Sequence, residues 1–319
     1  MNERTNASRV RELADSEDLR EFLLAKYMAE RHVLVTGASS GIGLALCKLL
    51  ARDHGCYVYL GSRDPSKGEG CLKGIVEEMP EVAGKIEVLQ LDVTDDASVS
   101  AAAERIKAKG VTLYGLVNNA GVGLAQPGAP DEAVSILATN FYGVKRVTDA
   151  FVGLIDPSVG RIVNVSSGAA SMFLKTQDAA TKALFSNPNV TMEELEAGMK
   201  EKIASGDTGY GKGYGLSKAG LTALTLIQAK AYPNLKVLSL SPGFIDTPMT
   251  KGYGAKLTPE EGCVSAIKCL FSEDVTSGYY YGSDGLRSPL TMTRDPGMPE
   301  YEGEDNPTQE KYNKSSALG

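Results

Sequence analysis

Tryptophan is absent from this 319-residue chain, and histidine occurs only twice, as His32 and His54. Two imidazoles cannot build a histidine-rich metal site, and none is expected. The five cysteines, Cys47, Cys56, Cys71, Cys263 and Cys269, are scattered and include no Cys-x-x-Cys pair. That excludes a disulfide framework and a zinc knuckle, and it fits a reducing, cytoplasmic compartment. No apolar run approaches the ~18 residues that a spanning helix needs, so no membrane segment is expected. Basic residues number 33 against 40 acidic ones, a net charge of -7. The chain therefore lacks the broad cationic field that nucleic acid or an anionic membrane rewards. Hydrophobic residues make up 42%, an ordinary globular content that excludes disorder and low-complexity architectures.

What is present is a strand-helix rhythm. Val33-Leu34-Val35, Tyr57-Val58-Tyr59-Leu60, Ile86-Glu87-Val88-Leu89, Gly115-Leu116-Val117 and residues 161–165 and 236–240 read as buried strands. Helical patterns fill residues 44–52, 98–109 and 133–154, and Thr258-Pro259-Glu260-Glu261 is a capping box that starts another helix toward Phe271. Near-continuous apolar strands alternating with helices imply a doubly wound α/β fold, a parallel sheet covered on both faces. Residues 1–30 read as an N-terminal helical extension, 31–285 as the main domain and 286–319 as a polar, acidic, loosely docked tail. Residues 170–212 form a polar insertion with its own capping box at Thr191-Met192-Glu193-Glu194.

Thr36-Gly37-Ala38-Ser39-Ser40-Gly41-Ile42-Gly43 follows the first strand and opens a helix. Glycines there allow a sharp turn and let backbone approach a pyrophosphate at the helix N-terminus. The second strand ends in Gly61-Ser62-Arg63-Asp64. Ser62 stands where an NAD site wants a carboxylate, and Arg63 with Lys67 supplies cations for a 2′-phosphate, so NADP is favoured. Tyr214 and Lys218 are four residues apart, on one face if helical, where an ammonium lowers a phenol's pKa. Tyr232 and Lys236 share the spacing, but Pro233 and the following strand remove them from one helical face.

Together with Asn118-Asn119-Ala120-Gly121, Asn164-Val165-Ser166-Ser167 and Ser241-Pro242-Gly243, these motifs occur in one order. The set resembles the short-chain dehydrogenase/reductase family over roughly residues 31–285, with its single-domain Rossmann fold. The insertion before Tyr214 is similar to that of the monomeric carbonyl reductase branch. The resemblance implies a catalytic set of Asn140, Ser167, Tyr214 and Lys218. Tyr214 is the general acid toward a carbonyl oxygen, Ser167 holds that oxygen, and Lys218 lowers the tyrosine pKa and binds ribose hydroxyls. Asn140 holds a water that relays protons to Lys218, and Ser166 is structural. Cofactor contacts are implied at Gly37, Ser39, Ser40, Gly41, Ile42, Gly43, Arg63, Lys67, Asp92 and Val93. They continue at Asn118, Ala120, Gly121, Tyr214, Lys218, Pro242, Gly243, Ile245 and Thr247.

The sequence departs from the branch at Ser39-Ser40, at Ser241, where a reactive cysteine is usual, and at Phe244, where tryptophan is usual. Phe173, Phe244 and Met249 are candidates either for an oily substrate wall or for lid packing. The implied activity is NADPH-dependent reduction of a ketone or aldehyde carbonyl of a small-molecule substrate to an alcohol, and the implied assembly is a monomer, with a dimer as the alternative. Two other readings stay open: an NAD(P)-dependent alcohol or steroid dehydrogenase, and a cofactor-binding scaffold of a larger assembly.

Overall fold

The computed structural model describes residues 30–123, 133–304 and 308–314. The chain divides into two units, Met1–Arg31 and His32–Gly319. The helix expected over residues 1–30 lies outside the described residues, Glu30 apart.

In the second unit, the strands are β1 (His32–Val35), β2 (Tyr57–Ser62), β3 (Ile86–Gln90), β4 (Leu113–Asn118), β5 (Arg161–Val165), β6 (Lys236–Leu240) and β7 (Tyr280–Tyr281). They form one sheet in the order β3-β2-β1-β4-β5-β6-β7, with every pairing parallel. The doubly wound Rossmann-like expectation is met. Strand order reverses between β1 and β4, which opens a crevice beyond their carboxyl ends. β7 is only two residues long, too short for a periodic signal, and sequence reasoning passes over it.

Burial on both faces explains the unbroken apolar strands. Val33 and Val35 pack with Leu46 and Leu50 of α1 (Gly41–Asp53) on one side. Leu34 packs on the other with Val99 and Ile106 of α3 (Asp96–Ala108). Between them in sequence, α2 (Pro65–Glu78) starts at the end of β2, capped by the Asp64 carboxylate, which accepts from Ser66 N and Lys67 N.

The continuous helix expected over 133–154 is instead α4 (Ala133–Leu137), a π turn (Ala138–Gly143), α5 (Val144–Phe151) and a 3₁₀ turn (Val152–Leu154). The π turn carries Asn140. A widened turn of this kind re-aims a side chain without ending the helix.

The insertion is more apolar than its composition suggests. After α6 (Gly168–Lys175) come α7 (Ala179–Ser186) and α8 (Met192–Ala204), the latter starting with the expected Thr191–Glu194 capping box. Phe173, Phe185, Leu195 and Met199 form a core with Phe141 and with Leu216 and Leu224 of α9 (Tyr214–Ala231). Thr258 and Glu261 also form their expected reciprocal bonds, leading through a 3₁₀ turn into α10 (Val264–Phe271).

The segment after Tyr281 differs from the loosely docked tail read in the sequence. Arg294, whose side chain is 0% exposed, donates to both oxygens of Asp284 at 2.9 and 2.7 Å, and to Pro299 O and Met298 O. Tyr312, in α11 (Gln309–Tyr312), is fully buried and stacks edge-on with Tyr301. A guanidinium with every donor direction satisfied inside the protein does what apolar burial does elsewhere, and composition does not reveal it. Arg294→Ala is expected to lower stability by roughly 3 kcal/mol, because it strands the Asp284 carboxylate. Urea unfolding measures this, and an unchanged midpoint would show the clamp to be dispensable.

Candidate active site

The crevice at the strand reversal is a cleft of about 340 Å³. It is lined from the ends of successive strands. β1 leads into Gly37, Ser39 and Ser40, and α1 contributes Gly41, Ile42 and Gly43. Gly37 has φ +62°, and a Cβ there would lie 2.7 Å from Ala120 Cα, so two strand-end loops meet at a point that only glycine fits. Thr36 and Asn119 lock that meeting. The Thr36 hydroxyl accepts from Asn119 N and Ala120 N, while Asn119 Nδ2 donates to Thr36 O at 2.9 Å and to Gly37 O at 3.2 Å.

The start of α1 is shaped for an anion. Ser40 is its N-cap but its hydroxyl makes no capping bond, and its first turn holds no acidic residue. The first-turn N–H groups thus keep their partial positive charge for the cleft. Arg63 and Lys67 line the same cleft from the end of β2. Ser62 does not: it is 1% exposed and donates to Asp64 O at 2.7 Å, which shapes the loop that carries Arg63. This combination of uncapped helix start, glycine turn and paired cations suits a phosphorylated dinucleotide.

Asp92 and Val93 line the cleft after β3, as expected. The Asp92 carboxylate also closes a turn, accepting from Thr94 N and Thr94 Oγ1 at 2.9 and 2.7 Å, whereas the cap of α3 is Asp95. Ala120, Gly121, Pro242 and Thr247 line it too.

Other expected cofactor positions do not reach the cleft. Asn118 is buried, donating to Thr148 Oγ1 and Asn164 Oδ1. Alternation along β4 turns its side chain into the sheet-helix interior, and Asn119 takes the cleft position instead. Ile245 is buried against Gly262, and Gly243 packs against Ser283, Ile245 and Leu257, so this part of the loop supports the wall from behind. The lining also includes Asn119, Val122 and Thr139, which sequence reasoning passes over. Asn119 had a signal, since of two adjacent asparagines at a strand end only one can face each side.

At the inner end of the cleft, α9 begins at Tyr214. Lys218 lies one turn on, its Nζ 5.7 Å from the Tyr214 ring centroid, so the pair does share a face. Lys218 Nζ donates to Val165 O at 2.8 Å. Ser166 Oγ donates to Lys218 O, a structural bond, although Ser166 also lines the cleft. Ser167 is the N-cap of α6; its oxygen accepts from Ala169 N at 3.1 Å, and its hydroxyl lies near enough to the Tyr214 phenol to draw the phenol's pKa down.

Asn140 stands behind this group and does not touch Lys218 through its amide. Its Oδ1 accepts from Val122 N, and its Nδ2 donates to Val122 O and Ser217 Oγ, each at 2.8 to 3.0 Å. The side chain therefore pins the β4 loop to the start of α9.

Electrostatics also depart from expectation. Burial pushes the Tyr214 phenol above its ordinary value, and the Ser167 hydroxyl only partly opposes this. Burial pulls Lys218 down to about 8. Desolvation outweighs the attraction of the ammonium, which is directed at Val165 O. The result is a protonated phenol at neutral pH, poised to give up a proton beside a serine hydroxyl.

The candidate oily residues separate. Phe173 is buried in the insertion core, Met249 lines the cleft, and Phe244 is 50% exposed. Among the described residues, no helix is long and apolar enough to cross a membrane, and no cluster of ligating side chains could hold a metal ion.

A family model described as short chain dehydrogenase matches residues 31–186. A (+)-neomenthol dehydrogenase of Capsicum annuum is 30% identical over 305 residues, covering 80% of this chain and 96% of its own. The carbonyl reductase 1 of Homo sapiens, named for NADPH, is 32% identical over 73% of this chain and 88% of its own. The structure of salutaridine reductase from Papaver somniferum superimposes with a TM-score of 0.69 at 28% identity, covering 79% of this chain and 99% of that one.

Proposed function

The chain belongs to the short-chain dehydrogenase/reductase family of oxidoreductases, and we propose that it is an NADPH-dependent reductase turning a ketone or aldehyde into an alcohol. The observation that carries this reading is one cleft with Arg63 and Lys67 at one end and Tyr214, Lys218 and the adjacent Ser167 at the other. The reductases and dehydrogenases among its relatives support the same chemistry.

Arg63 and Lys67 would hold the 2′-phosphate, the α1 N-terminus the diphosphate, and Lys218 the nicotinamide ribose. Thr247 would face the carboxamide. A bound nicotinamide dinucleotide supplies the hydride that the carbonyl carbon accepts. Tyr214 Oη donates its proton to the carbonyl oxygen as negative charge grows there. Ser167 donates a hydrogen bond to that same oxygen and fixes its direction. Lys218, charged below its pKa, stabilises the phenolate left on Tyr214. Asn140 keeps the β4 loop and Ser217 in register beneath the pair. The chain works as a monomer in this reading, since α7 and α8 are packed over α9.

The test is NADPH consumption against a panel of ketones and aldehydes at several pH values. Turnover is expected, with a rate that declines as pH rises through about 8, where Lys218 loses its proton. Tyr214, raised by burial, stays protonated across that range. A panel without turnover despite tight NADPH binding would refute the reading, and a rate independent of pH to well above 8 would remove Lys218 from it.

A further inference from the structure

Ser241 follows β6 and leads into the Pro242–Gly243 loop, and the reaction just proposed gives it no task. Its surroundings are those of a built joint. Its backbone N–H is anchored in the sheet, donating to Tyr281 O at 2.8 Å. Its side chain crosses to a different loop, where Oγ accepts from Gly168 N at 3.0 Å, and it also accepts from Gly243 N at 3.4 Å.

Gly168 follows Ser167 and is the first residue of α6, so its N–H is one of the helix-start donors with no partner inside the helix. Its neighbours are satisfied locally: Ala169 N by Ser167 Oγ at 3.1 Å, and Ala170 N by Ser167 O at 3.0 Å. Gly168 N alone of these reaches outside the turn. A glycine at this place puts little restraint of its own on the backbone, so the external acceptor sets the turn.

We propose that Ser241 is a positioning residue for the carbonyl reduction, one oxygen that holds the Ser167 turn and the Pro242–Gly243 loop at a fixed separation. This rests on the functional reading above. Ser167 orients the carbonyl oxygen, while the loop after Pro242 carries Thr247 on the nicotinamide side. Proton delivery and hydride arrival must meet on one C=O group, and small errors in their spacing slow the reaction steeply.

The hydrogen of the Ser241 hydroxyl supports the joint from behind. Two N–H groups occupy its acceptor sites, so its own hydrogen is left to donate. The Tyr280 phenol is close enough to the Ser241 and Ser171 hydroxyls for both to oppose the rise that burial gives its pKa, and the Ser171 hydroxyl donates to Pro289 O at 3.4 Å. The joint is thereby braced against α6 and the C-terminal segment.

The experiment is a double-mutant cycle with a second, activity-independent arm. Ser241→Ala is expected to lower kcat about tenfold and leave the NADPH dissociation constant within about twofold, because only the relation between groups is disturbed. In a Ser167→Ala background, the same substitution is expected to cost little more. Ser241→Cys, a weak acceptor, should fall between serine and alanine. Amide exchange at Gly168 is expected to quicken in Ser241→Ala with NADPH bound. Equal losses in both backgrounds, or a Gly168 amide that stays protected, overturn the proposal. A wild-type chain that binds NADPH and reduces no carbonyl refutes the functional reading instead, and the exchange arm then still decides whether Ser241 holds the turn.

Discussion

Tyr214→Phe is expected to reduce carbonyl turnover by about a thousandfold while NADPH affinity changes little. The substitution removes one oxygen and keeps the ring, so the packing at the start of α9 survives. What is lost is the proton donor. In its place water would have to enter a position where Tyr214 is only 9% exposed. Ser167 remains to hold the carbonyl oxygen but is too weak an acid to protonate it at neutral pH.

The measurement is steady-state kinetics on wild type and mutant with the best substrate of the panel, with NADPH binding followed by fluorescence. A mutant within tenfold of wild type would move the proton donor elsewhere and undo the mechanism. A mutant that has also lost NADPH binding would point to a collapsed cleft, which its unfolding curve would reveal.

The second large effect concerns the other end of the cleft. Arg63→Ala combined with Lys67→Ala is expected to raise the NADPH dissociation constant by about a hundredfold and to leave that for NADH nearly unchanged. Both side chains line the cleft, and their charge-assisted bonds would fall on the one group that distinguishes the two cofactors. The substitution is local. The cap of α2 uses the Lys67 backbone N–H and the Asp64 carboxylate, and both remain in the double mutant. Parallel titrations with the two dinucleotides give the ratio directly. An equal loss for both would mean that the cations serve the diphosphate, and no loss would leave them as a solvated surface pair.

The sequence was informative wherever structure depends on neighbours along the chain. β5 and β6 fall on the residues their apolar runs marked, because strand burial is written in consecutive side chains. Both capping boxes formed, since each needs only residues three apart. The glycine turn lies between a strand and a helix, and Tyr214 and Lys218 share a helical face for the same local reason.

Tertiary structure decided what local pattern leaves open. Asn118 and Asn119 are equivalent as letters, and only the packing of α5 and β5 against β4 sends the first inward and the second to the cleft. A lysine four residues from a tyrosine suggested a lowered phenol pKa, but burial raised it, because desolvation depends on everything packed around the group. The polar segment after Tyr281 is docked through Arg294, buried against Asp284 and the Met298 and Pro299 carbonyls, a set of contacts that composition does not reveal. Spacing along the backbone therefore determined which elements and motifs exist. Contacts between residues distant in sequence determined which side chains face the cleft, how strongly they hold their protons, and how firmly they are held.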